Sequence, residues 1–533
     1  MKKIFLIVGL MCGILLAQAQ EKLEVVPVSP EKYAAEIDLD DMRYLLTVLS
    51  SDQFEGRETG TPGQVKAARF IANKFRSYGL PRLEIDGKKT YYQNILFSSE
   101  TWDSIAISVG TADYRHLRDF YAFPTKNENL PAKTITEMTF VGYGIEAAKY
   151  NDYKKVDVEG KTLLMYAGEP TDAAGNSLLT GTKTPSDWTT DVDKRLQVAK
   201  QKGAAFVFVI DPKLKENIAE NRRLLLGRGM RIGGSGVDLS TYPNHAFISS
   251  TMAKQMIGDK AKKMIKARDK AKKKGGVKPV TIATNIALSQ KKATKKLEGS
   301  NVLGYIEGVD PQMKDEVVIL TAHYDHLGKR GKSIYNGADD NGSGTTTALE
   351  IAQAFAAAKK AGDGPRRSVL VMLVSGEEKG LLGSKYYTQF PVFDLEKTVA
   401  NVNVDMVGRV DEKYQDNPNY IYVIGADRLS TELHDINEAA NEKYTQLELD
   451  YTYNAEDDPN RFYYRSDHYN FAKHNIPAVF YFNGTHKDYH LISDTVEKIN
   501  FEKMQKIGQL VFHTVWELAN RDKRIEVNVP QKK

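Results

Sequence analysis

The chain has very little cysteine: one residue, Cys12, among 533, so no internal disulfide framework and no cysteine-built metal site is open to it. It has no apolar run of the roughly 20 residues a membrane-spanning helix needs; the most apolar stretch, Ile4 to Leu16, is too short to be a permanent anchor. An excess of one charge is missing too. With 74 basic and 69 acidic residues and a formal net charge of +5, nothing global points to nucleic acid. Neither an internal repeat nor a low-complexity tract is found. What is present, 41% hydrophobic and 27% charged residues, is the composition of an ordinary globular chain long enough for two or more cores.

The first residues have their own explanation. Lys2 and Lys3 precede the apolar run, and Ala17-Gln18-Ala19 has the small-x-small pattern of a processing site. Residues 1–19 therefore read as a signal peptide cut before Gln20, which predicts export to a periplasm or beyond, with no integral membrane segment afterwards. Met11 before Cys12 is bulkier than a lipoprotein signal carries, so lipid attachment is not the expectation.

Two helices are predicted early, Asp40 to Leu49 and Pro62 to Leu80. The second has Val65, Ala68, Ile71 and Phe75 on one face and a start marked by Thr61, Pro62 and Gln64, the elements of a capping box. From 101 to 290 the pattern changes to short strands such as Met138 to Val141, Thr162 to Ala167 and Ala205 to Ile210, read as an inserted β-rich domain. The basic stretch Lys254 to Lys274 carries Met256, Ile257, Met264 and Ile265 at helical spacing, which a solvated helix face explains. Afterwards apolar strands alternate with helices: Glu316 to Ala322, Thr345 to Ala361, Ser368 to Val374, Leu381 to Phe390, Thr398 to Val404, Ala478 to Phe482, and a last helix from Val496 to Ala519. That order predicts an α/β fold, a mostly parallel sheet with helices on both faces, built from 20–100 and 291–533 around the insert.

The candidate chemistry lies at the ends of those strands. His323 and Asp325 follow one strand, Glu377 and Glu378 the next, Asp405 ends a third, and His490 falls in the loop after the strand ending at Phe482. Open α/β sheets bind ligands at the carboxyl ends of their strands. Asp339 and Asp340 sit in the glycine-rich turn Asn336 to Gly344, just before a helix start that adds partial positive charge. Singly these are commonplace patterns; their joint placement on one sheet edge is not. Two imidazoles with three carboxylates suit zinc, and one shared carboxylate would let five residues serve two metals. Hydrolysis assisted by metal needs no covalent intermediate, so Ser343 and Ser375 read as turn residues.

The segments Ala322-His323-Tyr324-Asp325-His326, Gly337 to Gly344, Ser375-Gly376-Glu377-Glu378, Asn403-Val404-Asp405-Met406 and Tyr489 to Thr495 resemble the ordered motifs of the M28 zinc peptidases. Phe54-Glu55-Gly56-Arg57 with Gly60 to Gly63 is similar to that family's N-terminal motif. Val141 to Ile145 and Lys202 to Ala205 resemble the protease-associated domain inserted in many members. The resemblance implies two zinc ions per chain, with Asp340 bridging, His323 and Asp405 completing one position, and Glu378 and His490 the other. It implies Glu377 as general base and Asp325 as the carboxylate that orients His323. It further implies a peptide substrate, cut by an aminopeptidase. Glutaminyl cyclases with one zinc and carboxypeptidases occur on similar folds and stay open at this point. His326 is a candidate to support the metal ligands, and His468 reads as a packing residue more than a chemical one. His116, His245, His434, His474, His486 and His513 read as surface or core residues. None of these motifs encodes an oligomeric state.

Overall fold

Largely apolar strands bury both faces, as Val317–His323, Ser368–Val374 and Thr398–Val404 do at every residue. The structure is a computed structural model that describes residues 29–530 except 155, 223, 229 and 234–240; the expected leader, with Cys12, lies outside the described residues. Val317–His323 is the central strand, parallel to Ser368–Val374 on one side and Thr398–Val404 on the other, with Ala478–Phe482 parallel beyond. Their carboxyl ends therefore share one edge. Antiparallel strands close this part of the sheet, Val280–Ile306 against Ser368–Val374 and Tyr420–Ile424 against Ala478–Phe482.

Alternation along the strands sorts their side chains onto two cores. Val318, Leu320, Val369, Val371 and Leu373 pack under the helices Leu39–Leu49, Pro62–Ser77, Gly344–Lys360 and Phe501–Asn520. Val317, Ile319, Leu370, Met372 and Val374 face the other way, against Tyr387 and Phe471 from the short helices Leu382–Gln389 and His468–Ala472. The expected α/β architecture is what the chain forms.

Val280–Ile306 is 27 residues long and pairs with Tyr92–Val109 from Val302 opposite Tyr92 to Ile286 opposite Val109. Its first half also pairs with Leu130–Phe140, from which Thr162–Tyr166, Phe206–Ile210 and Asn244–Ile248 continue the sheet in parallel. The apolar residues of this region gather in clusters of their own, one around Phe140, Leu164 and Phe208, the other around Val141, Leu163 and Val209. The helical stretch expected around Lys254 to Lys274 forms Ser250–Ile257 and Ala261–Lys274, and the region holds a further helix, Val192–Gln201, that its strand pattern does not suggest. Within its basic stretch Met256, Ile257 and Met264 are buried, whereas Ile265 is 47% exposed.

One local expectation changes. The Thr61 side chain accepts no capping hydrogen bond; its hydroxyl donates to the Glu58 carbonyl at 2.6 Å, while Gln64 Oε1 accepts from the Gly60 amide at 2.8 Å. Gln64 also donates to the Ser375 hydroxyl, which ties the helix start to the strand end beside Glu377.

Candidate metal centre

Each functional side chain reaches the common edge for a local reason. His323 is the last residue of the central strand, and its carbonyl accepts from Thr345 Oγ1 at 2.8 Å, so the start of the Gly344–Lys360 helix is pinned beside it. Gly376, at φ +76°, lets the chain leave Ser368–Val374 sharply enough to turn Glu377 and Glu378 into the cleft. The Asn341 side chain donates to the Val404 carbonyl at 3.0 Å and accepts from the Met406 amide at 3.1 Å, which locks the Asp340 turn to the strand end carrying Asp405. His490, at φ +58°, lies in its loop with the Tyr489 ring stacked on it at 3.9 Å.

These residues converge on the Asp340 carboxylate. Its Oδ1 is 3.4 Å from His323 Nε2, which is also 3.3 Å from Asp405 Oδ1. Its Oδ2 is 3.0 Å from His490 Nε2, which is 3.4 Å from Glu378 Oε1. One carboxylate thus faces two separate donor groups, one oxygen to each. Glu377 Oε2 stands 3.9 Å from His323 Nε2 on the open side. Two sets of side chains are close enough to share a cation, His323 with Asp340 and Asp405, and His326 with Asp340 and Glu378. The second set includes a histidine that the sequence marks only as a possible supporting residue.

The charges explain why such a cluster calls for cations. Asp340, Glu377, Glu378 and Asp405 crowd against three imidazoles, with His323 and His326 almost wholly buried. Burial pushes Glu377 up, and Asp405 and Glu378 push it further, so its carboxyl lies well above the usual range. Burial and Asp340 would raise Glu378 as well, but His326 and His490 hold it at about 2. Burial would lower His490, yet contact with Asp340 and Glu378 raises it to about 10. Among the described residues Asp340 Oδ2 has no hydrogen-bond partner although it is buried, as a metal-facing lone pair would be.

Asp325 takes a different position from the one expected of an orienting carboxylate. His323 Nδ1 is 3.1 Å from the Asp325 carbonyl oxygen and 3.9 Å from its carboxylate. That carboxylate instead accepts from Thr59 Oγ1 at 2.6 Å and from the Glu377 amide at 3.1 Å, so it fixes the backbone of the Glu377 turn. His468 is a buried ring stacked on Phe480, its pKa lowered by burial to about 3, as suits a packing residue. His486 Nε2 lies 3.1 Å from Asp339 Oδ2, while Asp339 Oδ1 accepts from the Gly408 amide. The Asp494 carboxylate accepts from the amides of both Asp339 and Asp340. Ser466 Oγ donates to Asp405 Oδ2 at 2.7 Å and accepts from Asn403 Nδ2 at 2.8 Å. Arg57, 1% exposed, donates to the carbonyls of Leu49, Tyr324, Asn336 and Gly337 and so joins the loop after His323 to the loop before Asp340.

A shallow cleft opens over the cluster, with Met406, Phe462, Phe480, Phe482 and Tyr489 supplying apolar walls and Arg465 the rim.

A mostly parallel α/β sheet thus carries at its carboxyl edge two groups of carboxylates and imidazoles that face one aspartate, Asp340. Residues 301–515 match the model of Peptidase family M28. The chain is similar to Aminopeptidase YwaD of Bacillus subtilis, 29% identical over 248 residues, which is 44% of this chain and 49% of that protein. It is also similar to a probable leucine aminopeptidase of Trichophyton verrucosum, 30% identical over 221 residues, 40% of this chain and 57% of the relative. It thus spans about half the length of the curated relatives it matches. Among solved structures, an aminopeptidase from Aneurinibacillus sp. strain AM-1 shares the fold with a TM-score of 0.55 and 19% identity, covering 95% of this chain and 100% of that one. No described helix is long and apolar enough to cross a membrane.

Proposed function

We propose that the chain is a two-zinc exopeptidase that removes N-terminal residues from peptides, exported to a periplasm or beyond. The single observation that carries this reading is the Asp340 carboxylate, whose two oxygens address separate donor groups at 3.4 and 3.0 Å. His323 and Asp405 would hold one ion with Asp340, and Glu378 and His490 the other, a donor set of nitrogen and oxygen that suits zinc. When bound, zinc polarises a peptide carbonyl and lowers the pKa of a water beside it. The chain's own contribution begins with Glu377. Its buried carboxylate, high in pKa, takes the proton from the attacking water and gives it to the departing amine. Asp325 holds the Glu377 turn in place from behind. The aromatic walls beside Met406 would receive an apolar side chain and shed water from it. Residues 101–290 would form a separate module bordering the cleft and limiting substrate size.

The test offers the zinc-loaded chain leucyl, N-acetyl-leucyl and glutaminyl peptides. Release of leucine from the first alone is expected. Cleavage from the carboxyl end of the acetylated peptide would replace the reading with a carboxypeptidase, and ammonia release from the glutaminyl peptide without amino-acid release would replace it with a cyclase.

A further inference from the structure

The imidazole of His326 is wholly buried, and among the described residues neither of its ring nitrogens has a hydrogen-bond partner. Nδ1 nevertheless lies 3.0 Å from Glu378 Oε1 and 3.7 Å from Asp340 Oδ2. The same two oxygens are the ones that His490 Nε2 approaches, at 3.0 Å for Asp340 and 3.4 Å for Glu378. Two imidazoles therefore approach the same pair of carboxylate oxygens, and the His326, Asp340 and Glu378 donor atoms lie close enough to share a cation. Ligands placed tetrahedrally at 2.0–2.2 Å from a zinc stand about 3.3–3.6 Å from one another, which the four separations of 3.0–3.7 Å bracket. The ring cannot swing away: a Cβ on Gly337, which sits at φ +55°, would lie 2.5 Å from His326 Cγ and Cδ2, so the turn before Asp340 is packed hard against its face.

We infer that His326 is a direct ligand of the second metal position, which then takes four protein donors, His326, Asp340, Glu378 and His490, against three at the position of His323 and Asp405. The inference rests on the two-metal reading above. A fourth donor raises affinity at one position, so the two should fill in order, that of His326 first. It also narrows the space left there for substrate, leaving the His323 position as the more open of the two.

X-ray absorption of the zinc-saturated full chain counts the imidazoles directly. Three histidines shared by two metals give an average of about 1.5 imidazoles per zinc, against about 1.0 if His326 is not bound. His326→Gln should lower the count to about 1.0 and weaken the tighter zinc step at least about tenfold by competition with a chelator, while the other step is unchanged. Two zincs per chain with one imidazole each in the wild type would overturn the role of His326 and leave the two-metal reading standing. One zinc per chain would overturn both. A variant that keeps the wild-type imidazole count and both affinities would also remove His326 from the ligand set.

Discussion

Replacing Arg57 by methionine tests how the site is held rather than what it binds. The guanidinium makes four hydrogen bonds of 2.7–2.8 Å, to the carbonyls of Leu49, Tyr324, Asn336 and Gly337. Hydrogen bonds from a charged donor contribute about 1.5–3 kcal/mol each, so four amount to about 6–12 kcal/mol before burial is counted. Burial works against them: it lowers the arginine from its ordinary 12.5 to about 10, a cost of about 3 kcal/mol. The net is about 3–9 kcal/mol, and a methionine side chain would restore only the packing of the stem. We expect a loss of about 4 kcal/mol, near the lower end of that range, and we expect it locally, because the bonds join the loop after His323 to the loop before Asp340. Amide exchange along Val317–His323 should therefore quicken by about three orders of magnitude, at about 1.4 kcal/mol for each tenfold, while exchange along Phe206–Ile210 stays as it was. Arg57→Lys should recover part of the loss, since one ammonium cannot reach four carbonyls spread around a planar fork. An acceleration along the central strand of less than about tenfold, or a uniform change across the chain, would refute the clamp.

Glu377→Gln should keep both metals by elemental analysis and lose about two to four orders of magnitude in kcat, because it removes the proton acceptor and leaves the donor set intact; near-normal turnover would take Glu377 out of the base role. Asp340→Ala should lower zinc affinity at both positions in one substitution, whereas a loss at one position alone would contradict the shared carboxylate. Ser466→Ala should weaken zinc by about 10–100-fold at the His323 position only, read by chelator competition, since it removes the 2.7 Å hydrogen bond that fixes Asp405. Glu350, wholly buried in the Gly344–Lys360 helix, has its carboxyl raised by burial to about 8. The fold favours its protonated form, so the stabilisation is complete below pH ~4.5 and lost as pH rises to about 8, at a cost of about 2–4 kcal/mol. Glu350→Gln should flatten that slope in urea unfolding at about pH 5 and pH 8, and an unchanged slope would show that Glu350 does not cause it.

The parallel sheet is legible because strands buried on both faces are largely apolar, and the site candidates are legible because His323, Glu377, Glu378 and Asp405 stand at or just after the ends of such strands. Local pattern also carried Asp340, through its glycine-rich turn. What could not be read depends on contacts between distant segments. His326 meets Glu378 from a separate strand end and has no pattern of its own beyond following His323 closely in the chain. The pair of His486 and Asp339 joins residues 147 apart, and Arg57 binds carbonyls, which no sequence motif displays. The role of Asp325 divided in a way side-chain identity does not reveal: the backbone oxygen serves His323 while the carboxylate serves Glu377. Within 101–290 the helical spacing of Lys254 to Lys274 is legible, whereas the helix Val192–Gln201 is not, because Leu196 and Ala199 are its only buried apolar residues, too few to announce a core face.

The most direct test of the central claim is stepwise zinc reconstitution of the chelator-treated chain with leucyl-peptide hydrolysis followed at each addition. The shared Asp340 carboxylate predicts that two equivalents bind and that full activity is reached only with the second, while Asp340→Ala regains none at the same zinc concentrations. Full activity at one equivalent with no further binding, or hydrolysis that persists without zinc, would contradict the account.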